Sequence, residues 1–298
     1  MQGILIVDKP AGFTSFDVVA KLRGICQTRR IGHSGTLDPM ATGVLPVFIG
    51  QAAKAVDLQP RHDKVYQAVM RLGLRTDTGD ITGAVLEQAP LPAGLDEAAV
   101  AAALPAFLGE GLQTPPMYSA VKVNGRPLYK AARAGLQVQR APRPVVIHGL
   151  ELAGRLNGTD YALHVHCGKG TYVRVLIEDI GRALGVPATM AALRRTAAGI
   201  FTEEDAHSLD EIQAARNAGR LEELLLGVET VFTGLPAVTV DEAGAARLLN
   251  GAPVYNAGCA CANRRVRIRA AAGRFLGVGR LEQGALRAEK LFVERPAT

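Results

Sequence analysis

The chain has 298 residues, 48% of them hydrophobic, and carries a formal net charge of +6. This length suits one large domain with a smaller one, and the hydrophobic content is enough for a buried core. No apolar run reaches the roughly 20 residues that cross a bilayer, and the first residues lack the basic start and apolar stretch of a signal peptide. Composition therefore argues against a membrane-spanning or secreted protein and predicts a soluble, cytoplasmic one.

The sequence also lacks the side-chain sets that hold metals or cofactors. Four cysteines are too few and too scattered for a disulfide framework. Cys259 and Cys261 are close neighbours, but tetrahedral zinc needs about four ligands and no second Cys or His pair lies near them. His164 and His166 share one face of a predicted strand, where no carboxylate or Cys completes a set. Without a Walker loop or a dinucleotide fingerprint either, we predict no metal and no cofactor.

Charge is distributed in blocks rather than evenly. Residues 111–150 contain six Lys or Arg and no acid, and residues 264–295 contain nine basic residues against three acids. Between 201 and 242 the balance reverses, with ten acids against two arginines. Two separated basic blocks favour contact with a long polyanion, because each neutralised phosphate releases counterions. Ordinary solubilising charge is the alternative, and composition does not decide between the two.

Hydrophobic periodicity and end signals predict a series of elements along the chain. They are a strand at 3–7, a helix capped by Ser15 and running to about Ile25, a strand at 65–73, a helix opened by Asp96 and Glu97, a strand at 161–167, a helix capped by Thr171, and a helix whose capping box is Ser208 with Glu211. Strands and helices mix without strict alternation, which favours an α+β fold over a doubly wound sheet.

The C-terminal part of the chain differs in composition from the rest. Near residues 235–236 an acidic helical stretch gives way to a short helix and a basic, strand-rich tail. We therefore predict two domains, at 1–235 and 236–298. In the second, Arg265, Arg267 and Arg269 alternate with apolar residues, which places three guanidinium groups on one strand face. That face requires anions or water.

The segment around Asp38 is the first candidate for chemistry. Gly32 and Gly35 permit a tight backbone and the close approach of a ligand. Pro39 favours an extended conformation at Asp38, so the carboxylate is held on a constrained loop. An Asp before Pro is also common in ordinary turns, and taken alone this segment favours the turn.

Arg174 and Tyr66 extend this candidate site. Arg174 falls in the first turn of the predicted Thr171 helix, where a cation opposes the helix dipole at a cost of about 0.3–1 kcal/mol. A nearby anion such as Asp38, or a substrate phosphate, would offset that cost, whereas Glu178 at i+4 is the surface alternative. Tyr66 could stack on an extruded base, or it could simply fill the core.

Longer stretches of the chain resemble a known family. Residues 32–50, with the sequence GHSGTLDPMATGVLPVFIG, closely resemble the catalytic motif of TruB-type pseudouridine synthases. Further matches follow in that family's order across residues 3–201. They are Asp8-Lys9-Pro10, Lys64-Val65-Tyr66, Leu72-Gly73 with residues 76–80, residues 115–122, residues 169–174 and residues 193–196.

The resemblance implies a fold, an activity and roles for individual residues. The implied fold is a mixed, largely antiparallel sheet with flanking helices and a small, β-rich, PUA-like C-terminal domain. The implied activity is isomerisation of uridine 55 in the tRNA T-loop to pseudouridine, by a monomer that needs no protein partner. The implied catalytic residues are Asp38, Tyr66 and Arg174. The implied substrate contacts are His33, Tyr172, Leu193, Lys9 and Lys122, with the basic segment 115–145 gripping the T-stem loop.

One departure and three alternatives accompany this interpretation. Thr189 stands where the family often has His, which leaves one backbone or RNA contact unassigned. A non-catalytic RNA-binding protein would also explain the basic blocks, and a guide-RNA-dependent pseudouridine synthase shares these motifs. An unrelated carboxylate hydrolase would need a second acid near Asp38. Asp77 and Asp80 are candidates for that acid, in a setting that suits a turn equally well.

Overall fold

The computed structural model of the protein describes residues 1–119, 121–123, 125–255 and 264–293. Within these ranges the chain forms eighteen strands and six α-helices. The strands are β1 Gly3–Lys9, β2 Ile31–His33, β3 Thr42–Ile49, β4 Lys64–Leu72, β5 Leu74–Thr76, β6 Val85–Gln88, β7 Gly109–Gln113, β8 Lys122–Val123, β9 Arg126–Pro127, β10 Arg143–Arg155, β11 Asp160–Cys167, β12 Ala188–Ala198, β13 Phe201–Thr202, β14 Ala237–Val240, β15 Val254–Tyr255, β16 Arg264–Ala270, β17 Phe275–Glu282 and β18 Ala285–Leu291. The helices are α1 Ser15–Cys26, α2 Glu97–Ala103, α3 Leu128–Arg133, α4 Val173–Ala183, α5 Leu209–Asn217 and α6 Glu242–Leu249.

A large central sheet organises the first 200 residues. Its strands follow the order β1-β3-β12-β4-β11-β10-β7, with β2 attached to β3 and β13 attached to β12. The described pairs are antiparallel except β3 with β12, which run parallel where Arg194 and Arg195 meet Thr42 and Gly43. The predicted α+β architecture with a mixed, largely antiparallel sheet is therefore confirmed.

Strand β1 of the central sheet is buried on both faces. Leu5 and Val7 face a core shared with helices α1, α4 and α5, while Ile4 and Ile6 face a second cluster on the other side. Strand β11 alternates as its sequence predicts, with buried Leu163 and Val165 between exposed histidines. The central sheet thus has apolar layers on both faces at β1, whereas β11 buries one face and exposes the histidines of the other.

The N-cap of helix α1 lies one residue before the predicted cap, Ser15. Thr14 is the N-cap, and it forms a capping box with Asp17, in which each side chain binds the other's backbone N–H. Ser15 is therefore the first helical residue, with a buried side chain. Its hydroxyl contacts the loop near Asp38, as described below.

The C-terminal residues form a second, five-stranded sheet in the order β14-β16-β17-β18-β15, with α6 packed against it. This sheet has its own small core, yet it also shares an aromatic cluster with the preceding chain. The ring of Phe232 lies 5.6 Å from that of Phe292, which lies 5.7 Å from Phe275. A β-rich C-terminal unit is thus present and is joined to the rest by buried aromatic contacts.

The arginine face of β16 is neutralised by carboxylates of the same chain. Arg265 binds Glu289, and both Arg267 and Arg269 bind Glu229 at 2.9 and 2.7 Å. The anions that this face requires are therefore supplied internally. This pairing removes the main reason for expecting β16 to contact a polyanion. Among the described residues, no helix combines the length and apolar character of a bilayer crossing.

We expect Phe232→Ala to lower the free energy of unfolding by about 3–5 kcal/mol, because it empties a fully buried aromatic site. Phe16→Ala is the matched control, since the Phe16 side chain is 65% exposed. Urea denaturation followed by circular dichroism measures both variants. Equal losses in the two would show that the aromatic cluster does not hold the C-terminal sheet in place.

Candidate active site

A cavity of about 630 Å³ opens beside the loop between β2 and β3. Its walls include Asp38, Tyr66, Tyr172, Arg174 and Leu193. Five of the side chains that the sequence singles out are thus brought together. A cavity of this volume accommodates a small organic ligand such as a nucleotide.

Asp38 and Arg174 form a two-point ion pair in the cavity wall. Arg174 Nε lies 2.8 Å from Asp38 Oδ2, and Arg174 Nη2 donates to Oδ1 at 3.1 Å. The guanidinium also donates to the carbonyls of Thr78 at 2.7 Å and Tyr118 at 2.8 Å. Arg174 therefore pairs with Asp38 rather than with Glu178. This fork fixes both the position and the orientation of the carboxylate.

Helix α4 places Arg174 at its second position, and its start differs from the prediction. The N-cap is Tyr172, without a side-chain cap, so the predicted cap at Thr171 is wrong by one residue. Gln113 of β7 holds the Tyr172 backbone instead. Its side chain accepts from the Tyr172 N–H at 3.0 Å and donates to the Tyr172 carbonyl. The sheet edge thereby fixes the helix end that carries Arg174.

Three buried polar side chains bind the Asp38 loop at alternate residues. The contacts are Arg195 Nη2 with the Gly35 carbonyl at 3.1 Å, Ser15 Oγ with the Leu37 N–H at 2.9 Å, and Lys9 Nζ with the Pro39 carbonyl at 3.3 Å. The backbone is therefore held on both sides of Asp38. Such bracing presents a reactive group in one geometry, which is what catalysis by positioning requires.

The pKa of Asp38 depends on the balance between burial and two nearby cations, Arg174 and Lys9. Burial raises the pKa of Asp38 above its ordinary value, and nearby Asp80 raises it further, while Arg174 and Lys9 oppose the rise. Burial also lowers the pKa of Lys9 to about 8, against the effect of Asp38. The Asp38 carboxylate is thus easier to protonate than a solvated Asp.

Three predicted substrate contacts lie outside the cavity. Lys9 has no exposed surface, and its ammonium group also donates to the carbonyls of Pro10 and Phe13. Lys9 therefore braces the Asp38 loop and has no surface free for a ligand. His33 is half-buried at the end of β2, and burial lowers its pKa. Lys122 is exposed on the β8–β9 hairpin, within the basic segment.

The candidate second acids belong to a turn. Asp80 Oδ1 accepts from the backbone N–H of Thr82 at 3.0 Å and from its hydroxyl at 2.5 Å, and Asp77 Oδ1 accepts from the Ala84 N–H at 2.7 Å. Neither carboxylate is among the cavity-lining groups. Thr189, which is fully buried, places its hydroxyl 3.1 Å from that of Thr76 below this turn. The arrangement does not favour the hydrolase alternative, and it leaves Thr189 no surface for an RNA contact.

No group of His, Cys, Asp or Glu side chains suited to a metal ion occurs in the described parts of the chain. Cys26 and Cys167 are free and buried, and burial raises the pKa of the Cys167 thiol to about 11. Cys259 and Cys261 lie outside the described residues. The cavity therefore offers the Asp38 carboxylate, which Arg174 orients, with the Tyr66 phenol and the Asp57 carboxylate also in its lining.

Comparison with known families decides which chemistry this is. Residues 23–173 match the model of the TruB family pseudouridylate synthase N-terminal domain, and residues 174–233 match a tRNA pseudouridylate synthase B C-terminal domain. Residues 236–292 match the C-terminal model of pseudouridine synthase II TruB. The chain belongs to the TruB family. The resemblance of the Asp38 segment to the TruB catalytic motif is thereby confirmed.

Individual TruB proteins match over nearly the whole chain. The tRNA pseudouridine synthase B of Burkholderia mallei (strain NCTC 10247) is 43% identical, over 98% of this chain and 97% of its own length. The protein of the same name from Aromatoleum aromaticum is 42% identical, over 100% of this chain and 94% of its own length.

Solved structures of related enzymes share the TruB-family fold. A chain of a Cbf5–Nop10–Gar1 complex superposes with a TM-score of 0.74 at 28% identity, over 98% of this chain and 85% of its own length. A chain of an H/ACA RNP bound to a substrate RNA containing 2′-deoxyuridine also gives a TM-score of 0.74, at 25% identity, over 99% of this chain and 86% of its own length. The predicted pseudouridine synthase fold is confirmed.

Proposed function

We propose that this TruB-family chain isomerises uridine 55 in the T-loop of tRNA to pseudouridine. The observation that carries the proposal is the Asp38–Arg174 pair in the wall of a nucleotide-sized cavity. The name of the Burkholderia relative, tRNA pseudouridine synthase B, supports tRNA as the substrate. The chain acts in the cytoplasm as a monomer, without a cofactor or protein partner.

The proposed reaction breaks the bond from uracil N1 to ribose C1′ and forms one from C5 to C1′. The target base first leaves the stack, because no side chain reaches C1′ inside it. The Asp38 carboxylate then acts on the ribose, either by attacking C1′ or by removing a ribose proton. Both routes need an ionised carboxylate held beside the sugar, and Arg174 supplies the counter-charge that orients it.

Tyr66 acts on the freed uracil in the second half of the reaction. Its ring stacks on the base, a contact worth about 1–3 kcal/mol, while the base rotates to present C5 to C1′. The proton on C5 is then lost to water with help from the phenol, and N1, which no longer bonds to C1′, takes up a proton, so product and substrate have the same atoms. Tyr172 and Leu193 close the walls around the rotating base, which keeps it from diffusing away.

Two parts of the chain hold the RNA in this proposal. Residues 1–235 form the catalytic domain, and its segment 115–145 grips the T-stem loop through Lys122 and neighbouring cations. Arg174 contacts the carbonyl of Tyr118 at the start of that segment. Arg174 is thus in contact with the RNA-gripping segment as well as with Asp38. Residues 236–298 form the PUA-like RNA-binding domain.

Tritium release tests the activity directly. When C5 of a tritiated uridine joins C1′, the tritium enters water, so the purified chain should release one equivalent from the target uridine of a bare tRNA transcript. Changing that T-loop uridine to cytidine is the matched control and should abolish release. Binding without release would favour the non-catalytic alternative. Release that requires added guide RNA and partner proteins would favour a guide-dependent enzyme.

The acid side of the pH–rate profile should lie above the ordinary Asp value of 3.8, because burial raises the pKa of Asp38. The carboxylate is the active form, so activity is present above the raised pKa and is lost as pH falls through it. Single-turnover rates at saturating enzyme, measured from about pH 3 upward, locate this limb. A limb at or below 3.8 would contradict the role of a buried Asp38.

The affinity for tRNA should fall steeply with salt if the segment 115–145 touches phosphates. Lys122→Gln should reduce the slope of log affinity against log salt by roughly one, because one phosphate contact is lost. Arg220→Gln removes the same charge from the acidic stretch, where Arg220 lies 3.9 Å from Glu223, and should leave the slope unchanged. Filter binding at several salt concentrations measures both. Equal slopes in the two variants would contradict the gripping role.

A further inference from the structure

Arg195 is a fully buried arginine directly behind the candidate active site. It lies on β12, opposite Tyr66 of β4 in the antiparallel pairing, and none of its surface is exposed. Directly opposed residues of an antiparallel pair project from the same face of the sheet. Tyr66 lines the cavity whereas Arg195 does not, so the guanidinium supports the cavity wall from inside the protein.

The contacts of Arg195 are with backbone rather than with acids. Nε donates to the Val44 carbonyl at 2.7 Å, and Nη2 donates to the Gly35 carbonyl at 3.1 Å. Within the described parts of the chain, no carboxylate pairs with the guanidinium, and Nη1 makes no hydrogen bond of normal geometry. The Tyr66 phenol is near enough for a side-chain hydrogen bond with Arg195 to lower the phenol pKa. Burying a guanidinium without a carboxylate costs stability. Unpaired buried polar groups of this kind require an explanation. A role in the adjacent candidate active site is one such explanation.

Nη1 lies against the inner side of the Asp38 loop. Gly35 has a φ of +94°, and a Cβ at that position would come within 3.6 Å of Nη1 and 3.1 Å of the Lys64 Cε. The loop backbone at Gly35 therefore lies close to the guanidinium, at a distance where an added Cβ would be in van der Waals contact with Nη1. Because Gly35 precedes Asp38 by three residues, a shift of Arg195 would be transmitted to the catalytic carboxylate.

Arg195 is also part of the electrostatic surroundings of Tyr66. Burial raises the pKa of the Tyr66 phenol, and the nearby Cys167 and Asp38 raise it further, whereas Arg195 lowers it. The same positive charge lowers the pKa values of Lys64 and His33, in addition to the larger effect of burial. It also lowers the pKa values of Lys9 and Cys167, again in addition to other effects. The guanidinium is thus at the centre of the groups that surround the loop and the phenol.

We propose that Arg195 is a positioning residue, which holds Tyr66 and the Asp38 loop in one fixed arrangement from behind the cavity. It acts through those two groups and does not touch the substrate. Its effect on the reaction rate rests on the proposed function, whereas its hold on Tyr66 can be measured without RNA.

Kinetics of three variants test the effect of Arg195 on the reaction rate. Arg195→Met removes the charge at similar length and should lower the single-turnover rate by about 10²-fold, with tRNA affinity changed less than about threefold. Arg195→Lys keeps the charge but not the fork, and should recover part of that loss. Arg194→Met is the matched control on the opposite face of β12, where Arg194 binds Asp8 and Glu203. Its rate should stay within about twofold of the original.

Coupling to Tyr66 separates positioning from a merely structural role. The rate loss from Arg195→Met should be smaller in a Tyr66→Phe background, because both changes act on the same step. The Tyr66 ¹³Cζ resonance of the RNA-free protein, assigned with Tyr66→Phe, should move in Arg195→Met and titrate at higher pH, since a cation that lowers this pKa is gone. In Arg195→Lys the resonance should stay nearer its original position.

Several results would overturn the proposal. They are a folded Arg195→Met protein with an unchanged rate, equal loss of affinity and rate, rate effects that simply multiply in the double variant, and an unmoved Tyr66 resonance. If Arg195→Met does not fold, Arg195→Lys carries the test, and an unchanged rate there overturns the proposal. Absence of tritium release from the original protein would instead refute the proposed function, and the resonance would still report on Arg195.

Discussion

Asp38→Asn should lower the single-turnover rate of pseudouridine formation by a factor on the order of 10⁴ or more, because the amide can neither attack C1′ nor remove a proton. The substitution keeps the size of the side chain, and the loop remains held at Gly35, Leu37 and Pro39. Affinity for tRNA should therefore change little, since Asp38 contributes chemistry rather than binding. Tritium release and filter binding on the same preparation separate the two effects.

Asp77→Asn is the matched control for this substitution. It removes a carboxylate from the neighbouring turn, where the Asn amide oxygen can still accept from the Ala84 N–H. Its rate should stay near that of the original protein. Near-normal turnover in Asp38→Asn, or an equal loss in both variants, would remove Asp38 from the catalytic role.

Arg174→Met should lower the rate by roughly 10²–10³-fold, because it removes the preorganised counter-charge of the reacting carboxylate. The acid limb of the pH–rate profile should also move to higher pH. Arg174 lowers the pKa of Asp38, so without it the carboxylate takes up a proton at a higher pH and the active form is lost earlier. Single-turnover rates across pH measure both changes in one experiment.

Arg174→Lys distinguishes charge from geometry at this position. A lysine restores the positive charge but cannot make the two-point contact or reach the Thr78 and Tyr118 carbonyls together. We therefore expect the acid limb to return towards its original position while much of the rate loss remains. Circular dichroism confirms that each variant is folded. An acid limb that does not move in Arg174→Met would contradict the ion pair as the control of Asp38 protonation.

The pairing of Asp38 with Arg174 could be predicted because two independent signals converge on it. A cation in the first turn of a helix needs an anion, and the family motif supplies Asp38 as that anion. Alternation likewise predicts the buried face of β11, because a strand between two neighbours has a period of two that local sequence already displays. The cation at a helix end and the alternation along a strand can both be seen in a short stretch of sequence, so neither requires knowledge of the strand order.

Arg195, Gln113 and Ser15 could not be assigned in the same way. Their partners are distant in sequence, and strand order and loop position decide which backbone groups they meet. A signal for Arg195 did exist, since it shares strand alternation with the cavity residue Leu193 two positions earlier. For the arginines of β16, the strand face could be predicted but the partners could not. Their alternation is as predicted, but the partners Glu229 and Glu289 depend on tertiary packing.

The most direct test of the central claim is mapping of pseudouridine at single-nucleotide resolution in tRNA from cells that lack this chain. The T-loop uridine should be unmodified there, restored by the original chain, and left unmodified by Asp38→Asn expressed at the same level. Restoration by the Asp38→Asn chain, or a modified T-loop uridine in the cells that lack the chain, would contradict the account.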